Sequence, residues 1–126
     1  MKTEIIRKNN VEIAVVNSDE VLITDVQSAL DFIMSVQYET GCMNIAVNKG
    51  AIVDDFFVLS TCLAGEILQK FINYKVRFAI YGDFSKYTSK PLKDFMYESN
   101  KGKDVYFQPT VSLAVDKLAG NVVGQY

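Results

Sequence analysis

Two hydroxyls, Ser60 and Thr61, stand side by side in FFVLSTCLAGEILQKF, residues 56–71, where an apolar run with helical spacing begins. A hydroxyl at a helix start caps it by accepting from the first free backbone N–H groups, and the same position suits a phosphoryl group, whose charge a helix N-terminus favours. Just upstream, Asp54 and Asp55 offer paired carboxylates, hard ligands of the type a divalent cation takes; adjacency on a loop equally gives solvated turn acids. A second polar cluster, GDFSKYTSK over 82–90, carries Asp83, Ser85, Lys86 and Lys90. Its acid is suited to acid, base or anchoring roles and its lysines to an anionic ligand; the alternative is that these residues bond the nearby backbone as turn and cap groups.

Much chemistry is excluded by what the chain lacks. It contains no histidine, the commonest general base and metal ligand. Cys42 and Cys62 are too far apart for a CxxC pair and read as buried small hydrophobes. Neither a Gly-rich phosphate loop nor GxSxG is present. No cofactor and no metal are therefore expected.

Charge and hydropathy bound the partners. The net charge of -2 with a pI near 5.1 argues against nucleic acid. The average hides an asymmetry: residues 1–69 carry ten acids against four bases, whereas 70–103 carry eight bases against three acids. Such a distribution steers an anionic partner or simply solvates the surface. No apolar run reaches the roughly 18 to 20 residues of a membrane span, and MKTEIIRKNN lacks a signal-peptide core, so a cytoplasmic location without membrane contact is expected.

The elements that must hold these clusters follow from periodicity. TEIIRKNNVEIAVVN reads as a hairpin turning at Asn9 and Asn10, because β-branched runs flank a dipeptide that tolerates a left-handed turn. EVLI, residues 20–23, extends the sheet as a short strand. In TDVQSALDFIMSVQYETG the spacing turns helical, with Val26, Ala29, Leu30 and Ile33 on one face, Thr24 and Gln27 as capping box and Gly41 as stop. CMNIAVN is a strand buried on both faces. STCLAGEILQKFINY is a helix with Leu63, Ile67 and Phe71 on one line and Ala64, Leu68 and Ile72 beside it. VRFAIYGD is a buried strand, SKPLKDFMYESN a helix with Pro91 in its first turn, DVYFQ a strand, and TVSLAVDKLAG a last helix stopped by Gly120. Strands alternating with helices of this length specify right-handed crossovers and a mostly parallel α/β sheet. Residues 1–120 form one domain and NVVGQY, 121–126, is a tail. In such a sheet the carboxyl ends of the strands collect ligands, and both polar clusters fall there.

The run LSTCLAGEILQKFINYKVRFAIYGDFSKYTSKPLKDFMYESNKGKDVYF, with its flanking strand and final helix, resembles an uncharacterised bacterial family, domain of unknown function 4180, most strongly over GDFSKYTSKPLKDFMYESNKG. The element order, and LSTCLAG after the CMNIAVN strand, are similar to the anti-sigma-factor antagonist (STAS) domains. That resemblance implies a STAS-like α/β fold, a mostly parallel or mixed sheet with an N-terminal hairpin and about four helices. It also implies a hydroxyl, in an Asp-Ser-Ser-Gly-Leu-Gly type motif, that a partner kinase phosphorylates. Ser60 and Thr61 match the two hydroxyl positions and Leu63 the leucine; Leu59 stands where the motif has its acid, and Cys62 and Ala64 where it has glycines. The expectation is a non-catalytic protein-binding or regulatory module, with Ser60 and Thr61 as switch and Asp54 and Asp55 beside them. One rival is a small-molecule binder or enzyme using Asp83, Ser85, Lys86 and Lys90. Another is a homodimer built on the open edge of the hairpin.

Overall fold

A computed structural model describes residues 1–120; the expected tail, 121–126, lies outside the described residues. The chain opens with β1 (Lys2–Lys8) and β2 (Val11–Asn17), antiparallel and in register from Lys2↔Asn17 to Lys8↔Val11. Asn9 and Asn10 form the two-residue turn, with φ of 53° and 65°; asparagine tolerates this left-handed backbone, and it matches the twist of the strands.

From β2 onward the chain winds in one direction. It runs through α1 (Val26–Thr40), β3 (Asn44–Asn48), α2 (Leu63–Asn73), β4 (Arg77–Tyr81), α3 (Lys90–Lys101), β5 (Val105–Gln108) and α4 (Val111–Leu118). β2, β3, β4 and β5 are parallel, and the strand order is β1-β2-β3-β4-β5. Crossovers of one hand that always step the same way must all lie on the same face. Accordingly Phe32 and Ile33 of α1, Ile67 and Phe71 of α2 and Leu92 of α3 share one core, in which Phe71 meets Phe78 edge-on at 4.7 Å. Among the described residues α4 alone covers the other face, placing Ala114, Val115 and Leu118 against Ile13, Val15, Ala46 and Ala79. The small side chains of Ala46 and Ala79 let this short helix come close.

Four details depart from the periodicity. EVLI is not a strand: only Ile23 makes a bridge, to Ile52, so the segment is a crossing contact between two loops. The capping box of α1 sits one residue later than Thr24 and Gln27, with the Asp25 carboxylate accepting from Ser28 N–H at 2.8 Å. Asp supplies a charged acceptor where Thr would supply a neutral one. On α1 the deep positions are Ala29, Phe32, Ile33 and Val36, while Val26 and Leu30 are half-buried. Finally, α2 begins at Leu63 with Cys62 as N-cap residue, so Ser60 and Thr61 precede the helix instead of starting it, and Ile72 on its far end is exposed. Gly41 does close α1, in the left-handed region at φ 74°, Pro91 does lie in the first turn of α3, and Gly120 follows α4 at φ 87°.

Candidate functional site

The path from β3 to α2 is a strap of three single 3-10 turns, Lys49–Ala51, Asp54–Phe57 and Leu59–Thr61. It starts from a fixed point. The Asn48 amide donates to Ser18 C=O at 2.8 Å and accepts from Ser18 N–H at 2.9 Å, tying the ends of β2 and β3 together. Phe56 and Phe57, both buried, anchor the middle of the strap in the core.

Through Phe57 the strap meets the loop after β4, so the two polar clusters read from the sequence are neighbours. Tyr87 stacks on Phe57 with centroids 5.1 Å apart and planes 18° apart, and Phe84 closes the group at 6.0 Å from Phe57. The Lys49 ammonium lies 5.1 Å from the Tyr87 centroid and that of Lys86 5.4 Å away. Gly82, at φ 154°, lets the loops approach, since a Cβ there would fall 2.8 Å from Lys49 Cβ. The Tyr87 hydroxyl is shielded from solvent and has no partner among the described residues; burial pushes its pKa up, Lys86 pulls it down and Asp54 raises it.

The side chains proposed for ligand chemistry are occupied otherwise. Asp83 is exposed, and hydrogen bonding from Ser85, including Ser85 N–H at 2.9 Å, holds its carboxyl below the usual range, with Lys49 and Lys86 adding to the effect. It is a turn acid, ionised at neutral pH, and is not poised as a proton donor. Lys90 is bound to Asp94 at 2.7 Å one helical turn on. Ser89, at the N-cap of α3, accepts from Leu92 N–H. Among the described residues no group of three or more Cys, Asp or Glu is arranged to hold a metal ion, and Asp54 and Asp55 sit exposed on the second turn of the strap.

Ser60 and Thr61 differ sharply. The Thr61 hydroxyl lies 2.8 Å from both Asp55 C=O and Val58 C=O, to which it donates, and accepts from Leu63 N–H at 3.3 Å. It thus locks the strap to the first residue of α2. The Ser60 hydroxyl is exposed and has no hydrogen-bond partner among the described residues. It sits at an open, mostly apolar groove of about 370 Å³ lined by Phe57, Val58, Leu59, Ser60, Ser89 and Pro91. Cys42 is buried as expected, but Cys62 is exposed and turns the chain into α2 with φ 64°, a left-handed backbone that costs a residue with a Cβ. Periodicity had no means of finding Cys62, Val58 or Lys49: the first is defined by φ, the others by what the strap folds against.

A family model described as domain of unknown function DUF4180 matches residues 8–118. The chain belongs to that family. No curated protein and no solved structure matches it. In this DUF4180 chain the match runs from the end of β1 to the end of α4, so both clusters and the groove lie within the family domain. Among the described residues no helix is long and apolar enough to cross a membrane.

Proposed function

We propose that this DUF4180 domain is a non-catalytic, protein-binding regulatory module, docking a partner at the groove beside the strap, with Ser60 as the residue whose modification controls docking. The observation that carries the reading is the contrast at the Ser60–Thr61 pair. The Thr61 hydroxyl is spent on the strap, and that of Ser60 stands free at the rim of an apolar groove. Val58, exposed by 49%, extends that apolar surface, and the exposed acids Asp54 and Asp55 lie on the preceding turn of the strap.

The winding of the sheet supports the same reading. Ligand crevices in open α/β sheets form where adjacent strands send their connections to opposite faces. Here that happens only between β4 and β5, and Phe84 packed edge-on against Phe107 at 5.9 Å, with Gly82 N–H bonded to Gln108 C=O, closes the spot. The STAS resemblance gains support at Cys62, which occupies the position of the motif's first glycine and has the left-handed backbone that favours glycine.

A phosphoryl group on Ser60 would add about two negative charges beside Asp55. An apolar partner surface would then have to desolvate them, so docking is lost. The test is capture from lysate with the wild type, Ser60→Ala and Ser60→Glu, each verified as folded by its thermal melt. A protein held by the wild type and Ser60→Ala but released by Ser60→Glu is expected; equal retention by all three, or retention of nothing, contradicts the reading.

A further inference from the structure

Among the described residues no strand pairs with the outer edge of β1, and its hydrogen-bonding phase follows from the hairpin. A two-residue turn makes Lys8↔Val11 a hydrogen-bonded pair. Alternation then makes Ile6↔Ile13, Glu4↔Val15 and Lys2↔Asn17 hydrogen-bonded as well. The main-chain groups of Thr3, Ile5 and Arg7 therefore point away from the sheet.

The side chains along this edge are arranged by face. Met1 and Ile5, exposed by 57% and 52%, lie on the side of α1, since Ile5 stands opposite Ala14 of that core and Met1 shares a groove with Leu22, Asp31 and Ser35. On the opposite face Lys2 and Glu4 have no ion-pair partner among the described residues, whereas Lys8 on that face is paired with Asp116, and Arg7, on the side of Ile5, with Glu12.

We propose that β1 pairs with β1 of a second copy of this chain, antiparallel about a two-fold axis through Thr3, so that one continuous ten-stranded sheet runs through the dimer. A two-fold perpendicular to a sheet matches like faces and keeps the outward-pointing main-chain groups in phase. In this register Thr3 bonds Thr3 of the second copy. Met1 and Ile5 lie opposite Ile5 and Met1, and Lys2 and Glu4 lie opposite Glu4 and Lys2.

Charge complementarity selects this alignment. A two-fold at Ile5 sets Lys2 against Lys8, and one at Glu4 sets two glutamates face to face. One at Ile6 relies on Lys8, which Asp116 already holds. The axis also meets an unexplained group, since the Thr3 hydroxyl is shielded yet has no partner among the described residues, and a χ1 rotation turns it toward its counterpart. Strand pairing alone covers less surface than a stable dimer needs; the exposed side chains of Met1 and Ile5, set opposite each other across the axis, extend the contact.

Sedimentation equilibrium on the whole chain tests the pairing. The wild type is expected to dimerise reversibly. Glu4→Lys places two like-charged pairs at the interface and should weaken association about tenfold, as should Lys2→Glu, while the combined exchange restores it. Thr3→Pro deletes an outward N–H that no strand uses within one copy, so it should abolish dimerisation and leave the circular dichroism spectrum unchanged. A wild type that remains monomeric into the millimolar range, single reversals without effect, or a double exchange no better than either single variant overturns the proposal.

Discussion

A hydroxyl bonded to two carbonyls has no donor left for anything else, and at Thr61 that commitment fixes the strap onto α2. Thr61→Val should therefore lower stability by on the order of 1 kcal/mol, read by denaturant unfolding, while Ser60→Ala should change it by less than about 0.5 kcal/mol. The sequence presents the two residues as equivalent, and only the strap's path distinguishes them. Two carboxylates make a pH prediction. Asp25 is held below the ordinary carboxylate range first by Ser28 N–H and then by the Ser28 side chain, and Asp83 by hydrogen bonding from Ser85. Because the folded values lie below the unfolded one of about 3.9, the stability both groups contribute is fully present above that pH. It is lost as pH falls through the folded values. Carboxyl NMR titrations should place both midpoints below the unfolded value, and Asp25→Asn should flatten the acid limb of the stability curve; midpoints at or above it contradict the assignment.

At the scale of elements, local chemistry marks most boundaries. The Asn9–Asn10 turn, the Gly41 stop of α1 and Pro91 in α3 were legible because each residue type sets its own backbone. β3 and β4 were legible because strands covered on both faces are continuous apolar runs. The entrance to α2 was not, because nothing in a cysteine announces a left-handed backbone; the packing of Phe56 and Phe57 and the Thr61 bonds impose it. That strain is removable. Cys62→Gly should raise stability, by roughly 1 kcal/mol before the larger backbone entropy of the unfolded glycine offsets part of it. Cys62→Val should lower it, and a thermal melt in which valine outperforms glycine contradicts the assigned backbone. EVLI misled for a related reason: its composition is strand-like, but the chain has already left the sheet at Ser18, held there by Asn48.

At the scale of the molecule, winding in one direction leaves two distinct surfaces. The carboxyl ends of the strands are roofed by the strap and its aromatic partners, which leaves a shallow groove at Ser60. Among the described residues the far edge of β1 stays unpaired. The sequence conveyed the α/β alternation and the convergence of both polar clusters at strand ends. It could not convey that Phe57 and Tyr87 would stack and join them, since that contact depends on where two loops cross. The central claim is that the surface around Ser60 docks a protein, and site-specific photo-crosslinking tests it most directly. A photoreactive residue placed at Val58, on the groove, is compared in cells with one at Lys93, on the outer side of α3, each with Ser60 intact and with Ser60→Glu. The account predicts a discrete adduct from position 58 that is absent from position 93 and disappears with Ser60→Glu. An adduct of equal strength from both positions, one indifferent to Ser60→Glu, or none from position 58 would contradict it.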